Sequence, residues 1–262
     1  MSWASAVFKT RAVALLQYRA AAISAMATQV FWGIIKTAIL TAFFAQGTAS
    51  TPIALSQAIG FVWLGQAFLR LVPWDLDKEL ETQVRDGQVA YELVRPIDLY
   101  WLWFTRCLAM RCIPVALRAA PVIVVGFYFG LEAPVSWEAA CWFGLSLVGA
   151  VAVSAAITTL VVISLFWTTL GEGIDRIMPS LSMLLSGLIV PLPLFPDALQ
   201  PLLNLQPFRA VLDIPIRLYT GVIPVTEASG ALVFQIVWAI LLIGLGRFCM
   251  SRSLHRLEMQ GG

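Results

Sequence analysis

Thirty-three consecutive residues, Ala139 to Gly171, contain no Asp, Glu, Lys or Arg. A helix with one face in water needs polar residues every turn or two, so a run of this length predicts a segment surrounded by lipid or protein. Two further runs, Ile177 to Pro196 and Ala228 to Gly246, hold 20 and 19 residues without a charge. Crossing a bilayer takes about 20 mostly apolar residues, because lipid offers no hydrogen-bond partner and each backbone group must be satisfied inside its own helix. The longest run exceeds that need and is expected to tilt or project. Composition agrees: 60% of the 262 residues are hydrophobic and only 12% are charged. An aqueous domain carries roughly 25% charge. A secreted enzyme, a nucleic-acid reader and a disordered hub are therefore excluded.

The stretch Thr37 to Leu69 is also charge-free, but turn-forming residues from Gln46 to Pro52 interrupt it. This predicts two helices, at about 20–45 and 52–74, the second with proline in its first turn. A weaker span at about 112–131 contains Pro114, Arg118 and Pro121. With spans at about 139–167, 177–195 and 228–249, the expectation is an all-α integral membrane protein. It has six transmembrane helices in one domain over residues 1–262.

Basic residues near helix ends set orientation. With the N-terminus inside, 13 of the 17 Lys and Arg fall in internal segments and only Arg209 and Arg217 fall outside. Both termini are thus expected in the cytoplasm. Met1 to Arg19, where Trp3, Val7, Val13 and Leu16 alternate with Lys9, Arg11 and Arg19, reads as a helix lying in the membrane interface rather than a cleavable signal.

Between Asp75 and Asp98, ten of 24 residues are charged. Leu76, Leu80 and Val84 recur every four residues, which predicts a short helix with one apolar face, capped by Asp75 and ended by Gly87. A second helical piece, Gln88 to Val94, stops before Pro96. A solvated connector has no use for such spacing. A helix packed on the membrane domain does, and it would offer Glu79, Glu81 and Arg85 to a soluble partner.

Seven of the 14 prolines lie between Pro191 and Pro224. That density forbids one long helix, yet the segment is too apolar for a free loop. Short broken helices dipping into the outer leaflet, at about 196–224, are expected. Arg209, Asp213 and Arg217 are four apart and form a charged face, read as a structural ion-pair cluster.

The catalytic inventory is poor. One histidine, His255, cannot build a two-histidine metal centre, and neither HExxH nor paired CxxC occurs. Cys107, Cys112, Cys141 and Cys249 read as packed, reduced thiols. No GxxxxGK[ST] loop is present to bind ATP. The chain is therefore not expected to be an enzyme, nor to bind a cofactor or metal itself. Lys36 is the ionisable residue deepest in a span, where a charge costs about 2.5 to 3.5 kcal/mol on insertion scales. Two readings stand: it snorkels or pairs with a polar neighbour such as Gln29, or it meets an anionic or polar substrate group along a path through the membrane.

The loop RDGQVAYELVRP, from Arg85 to Pro96, resembles the R-x-G then L-x-R-P pattern of six-span permeases of the ABC type-2 exporter class. Gln206-Pro207-Phe208, then Pro215 and Tyr219-Thr220-Gly221, is similar to the pattern before the last span in that family. The likeness covers the chain in span number, loop order and length. It implies a permease subunit of an ABC exporter in the bacterial inner membrane, paired with a second copy or a homologous permease. ATP and Mg would be held by separate cytoplasmic ATP-binding subunits. It implies coupling to the ATPase for Arg85, Gly87, Leu93, Arg95 and Pro96, beside Glu79 and Glu81, which the helix-face spacing already offers to such a partner. The region of Pro207, Phe208, Arg209, Asp213 and Arg217 takes the place of external re-entrant helices closing the exit. A secondary transporter or a membrane scaffold without an ATPase is the alternative.

Overall fold

The computed structural model describes residues 3–17, 19–46, 51–94, 96–167 and 172–260; at 15–17, 19–22, 172–176 and 255–260 only the backbone is described. Among these residues every regular element is helical. The chain begins with α1 (Trp3–Gln17) and α2 (Arg19–Ala45), then α3 (Leu55–Ala67). The polar loop holds α4 (Lys78–Arg85) and α5 (Val89–Leu93). After it come α6 (Leu99–Tyr128), α7 (Trp137–Ser164) and α8 (Glu172–Leu185). Short helices follow, including α9 (Gln200–Leu205) and α10 (Asp213–Tyr219), before the last helix, α11 (Ala228–Gln260).

Four of these stretches are long and apolar enough to cross a membrane: Ile23–Ala45, Leu99–Tyr128, Trp137–Ser164 and Val225–Leu254. The remaining two expected spans are shorter as helices than the hydropathy runs suggest. α3 has 13 residues and α8 has 14, about 20 Å each against a hydrocarbon core of about 30 Å. The chain continues beyond α3 as a turn of 3-10 helix, Leu69–Leu71. Beyond α8 it turns at Gly187, whose φ of +82° is a left-handed conformation that only glycine adopts cheaply. Apolar composition marks burial, and it does not distinguish a continuous helix from one that breaks inside protein.

The third expected span differs in the other direction. The helix expected at about 112–131 starts at Leu99, with Asp98 accepting from the Trp101 amide as its cap. Pro114 and Pro121 lie within it. Each removes one intrahelical donor, a loss that membrane helices tolerate where neighbours cover the freed carbonyl.

Burial is organised around α3 and the middle of α7. Trp63 is fully buried, stacks on Phe129 at 5.6 Å, and packs where Gly33 of α2 leaves no room for a Cβ. A second apolar cluster gathers one end of the bundle. Leu80 and Val89 from the polar loop meet Leu99 and Trp103 of α6, Val162 and Ile163 of α7, and Met250 of α11, with Val7 of α1 against them. A third cluster, Ile214, Leu218 and Ala228 with Trp142, joins α10 to the starts of α7 and α11.

Candidate functional site

The polar loop is fastened to the helices by two arginines. Arg111 of α6 is fully buried. Its guanidinium donates to the Asp75 carboxylate at 2.7 Å, to the Asp75 and Val72 carbonyls at 2.7 and 3.1 Å, and to the Thr158 hydroxyl of α7 at 3.0 Å. Asp75 also pairs with Arg70 at 2.7 Å, and Arg70 stands over the Trp74 ring. An unpaired charge at such a place costs several kcal/mol, and here each face of the guanidinium fork meets an acceptor. Asp75 is therefore an anchor rather than the expected helix cap. The cap is Asp77, which accepts from the Glu79 amide at 3.0 Å. The two aspartates are indistinguishable by type, and the position of Arg111 decides between them.

Arg106, one and a half turns earlier and 5% exposed, gathers the acidic side of α4 and α5. It lies 3.2 Å from Glu79, 3.4 Å from Asp77 and 3.4 Å from Glu92. Glu92 also accepts from the Trp103 indole at 2.9 Å. From the other side, Arg11 of α1 pairs with Glu79 at 2.7 Å. Burial pushes the Asp77 carboxyl up from its ordinary value, with Arg11 opposing that rise. The loop is thus clamped between α1 and α6.

This geometry locates the expected coupling residues. Glu79, on the exposed edge of α4, is committed to Arg11 and Arg106 within the chain. Glu81 and Arg85 pair with each other at 2.7 Å, one turn apart. Gly87 ends α4 with φ of +69°, a conformation that would strain any L side chain. Leu93 and Pro96 are exposed, and Arg95 lies outside the described residues. Tyr91 and Val94, which the sequence reading passed over, are 78% and 84% exposed beside Leu93. Together they form an apolar tip on an otherwise charged loop.

At the opposite end the proline-rich segment is held from within. The Gln206 carboxamide accepts from the amides of Phe208 and Arg209 and donates to the carbonyls of Leu185 and Leu203. Pro207 and Phe208 thereby start a 3-10 turn, Pro207–Ala210, with Phe208 buried. Asp213 is fully buried between Arg209 at 3.5 Å and Arg217 at 3.4 Å. Gln235 of α11, also fully buried, donates to the carbonyls of Ala210 and Ser146. These bonds supply the partners that broken helices leave wanting.

Lys36 projects from α2 to the carbonyl of Leu188, 2.9 Å away, just past the turn at Gly187. Its partner is not Gln29, which is buried about two turns away along α2 with no partner for its carboxamide oxygen among the described residues. Lys36 also lines a cavity of about 320 Å³ between α2, α3 and the segment after α8.

Arg106 and Arg111 were the functional residues hardest to see. They precede the expected start at Cys112 and so read as cytoplasmic. A usable signal existed: no glycine or proline separates Asp98, a good cap, from Pro114.

Comparison with curated proteins and with solved structures gave no match. A family model described as ABC-2 family transporter protein matches residues 53–261, which include the clamped loop, the broken segment and five of the six apolar stretches. With four membrane-length helices and this match over most of its length, the chain belongs to the ABC-2 transporter family, as a multi-pass membrane protein of the permease type.

Proposed function

We propose that the chain is the transmembrane permease subunit of an ATP-driven exporter, acting with cytoplasmic ATP-binding subunits and with a second permease, identical or homologous. The observation that carries this reading is the clamp. A force applied to α4 and α5 reaches α1 through Arg11 and α6 through Arg106 and Arg111. A tethered connector would dissipate it. The apolar tip of Tyr91, Leu93 and Val94, exposed next to the turn at Gly87, supplies the area that a docking protein would cover.

The reading takes the end bearing α1, the clamped loop and the end of α11 as cytoplasmic, in the bacterial inner membrane. The chain then passes between the two ends six times, by α2, α3, α6, α7, the α8 segment and α11. α3 and α8 make their passages as interrupted helices: α3 is buried in protein, and past α8 the carbonyls of Leu185 and Leu188 accept from Gln206 and Lys36, which is how irregular backbone is tolerated at membrane depth. Nucleotide binding would draw two clamped loops together and shift the paired permeases between inward and outward access. ATP drives that shift by binding the closed arrangement more tightly, with the loop transmitting the difference. The segment from Pro207 to Arg217 closes the outer end.

Co-expression with its phosphate-loop ATPase tests the reading. Tyr91→Glu with Val94→Glu is expected to abolish co-purification or to uncouple ATP hydrolysis from transport. Transport by the purified chain without any ATPase, or labelling of Tyr91→Cys only from outside, would overturn it.

A further inference from the structure

Lys36 is the one charged residue in the segment Ile23–Ala45, and its partner among the described residues is a carbonyl rather than a carboxylate. It lies nine residues before Ala45, about 13 Å below that end of the helix. The cavity around it is otherwise apolar, walled by Trp32, Ile39, Phe61, Val62, Leu188 and Pro191. Its volume of about 320 Å³ falls at the lower end for small-molecule sites, which are mostly apolar with a few placed polar groups. The Leu188 carbonyl occupies one of the three ammonium donors. The carbonyl leaves the charge uncompensated, and the other two donors have no partner among the described residues beside that space.

We infer that this cavity binds the transported molecule, and that the cargo is an amphiphile with a single anionic head, which Lys36 receives while the apolar walls hold its tail. The inference rests on the permease reading and names its substrate class. Depth separates cargo from resident lipid. A lipid at rest keeps its head at the surface, whereas a head at the level of Lys36 belongs to a molecule in passage. Charge sets the sign, since an anion relieves the uncompensated ammonium and a cation opposes it. Capping the freed Leu188 carbonyl accounts for one hydrogen bond of Lys36, and a neutral donor would do that without the cost of a buried charge.

The test uses the full chain with its co-purified ATPase in phosphatidylcholine nanodiscs, and a photoreactive diazirine derivative of an 18-carbon fatty acid beside the corresponding alcohol. The acid is expected to crosslink within residues 32–40 and 188–194 at least tenfold more than the alcohol. Lys36→Met should erase that preference and Lys36→Arg keep it. Val62→Trp, which fills the cavity, should remove both crosslinks while the complex stays assembled. Equal labelling by acid and alcohol, or an unchanged preference in Lys36→Met, overturns the proposal while leaving the permease reading intact. Failure of the ATPase to co-purify strikes the permease reading instead, and crosslinking is then read on the chain alone with the same outcomes deciding the site.

Discussion

Replacing Arg111 by methionine keeps the apolar stem of the side chain and removes the group that fastens the polar loop. The carbonyls of Val72 and Asp75 and the Thr158 hydroxyl then lose the charged donor of a fully buried side chain. Removing one partner of a buried ion pair costs about 3 to 5 kcal/mol. Asp75 keeps Arg70 at 2.7 Å and its side chain is 32% exposed, so the lower end, about 3 kcal/mol, applies here. That is about a hundredfold in a local opening equilibrium. Cys107 reports the opening, because it is fully buried in the same cluster as Leu80 and Val89. In a background with Cys112, Cys141 and Cys249 changed to alanine, thiol labelling of Cys107 in nanodiscs should accelerate about a hundredfold on Arg111→Met. Thr158→Val removes a single acceptor and should accelerate it about fivefold, for about 1 kcal/mol. Labelling of Arg111→Met within twofold of its parent would refute the clamp.

Three further outcomes are expected. Gly87→Ala meets no neighbouring atom, so its cost of about 1 to 2 kcal/mol is conformational; it should appear as reduced ATPase coupling with the complex still assembled. Asp213→Asn leaves Arg209 and Arg217 facing each other without the buried carboxylate and should lower stability by about 3 kcal/mol, read as a fall in the unfolding midpoint in mixed micelles. Gln235→Leu strips the carbonyls of Ser146 and Ala210 of a donor and should cost about 2 kcal/mol, with proteolysis at 196–210 increasing where Gln206→Ala produces the same nicks.

What could be read in advance was local. Gly87 ends α4 because a helix stop is written in a few adjacent residues, and Leu80 faces inward because spacing alone places it. Proline density foretold the broken segment before α11 in the same way. The start of α6 was misplaced because Arg106 and Arg111 look like the edge of a membrane when their partners are not visible. Those partners, Glu79 and Asp75, lie 27 and 36 residues earlier in the chain.

By itself the sequence determined that this chain lives in lipid, roughly where it turns, and which loop is polar, since insertion energy and helix closure depend on neighbours within a few residues. Only the tertiary structure decided that Asp75 anchors and Asp77 caps, that α3 and α8 stop short, and that Lys36 meets a carbonyl 152 residues away beside a cavity. Such choices turn on which buried charge finds which acceptor. In low dielectric that pairing outweighs local preference, and it exists only once distant segments are packed together.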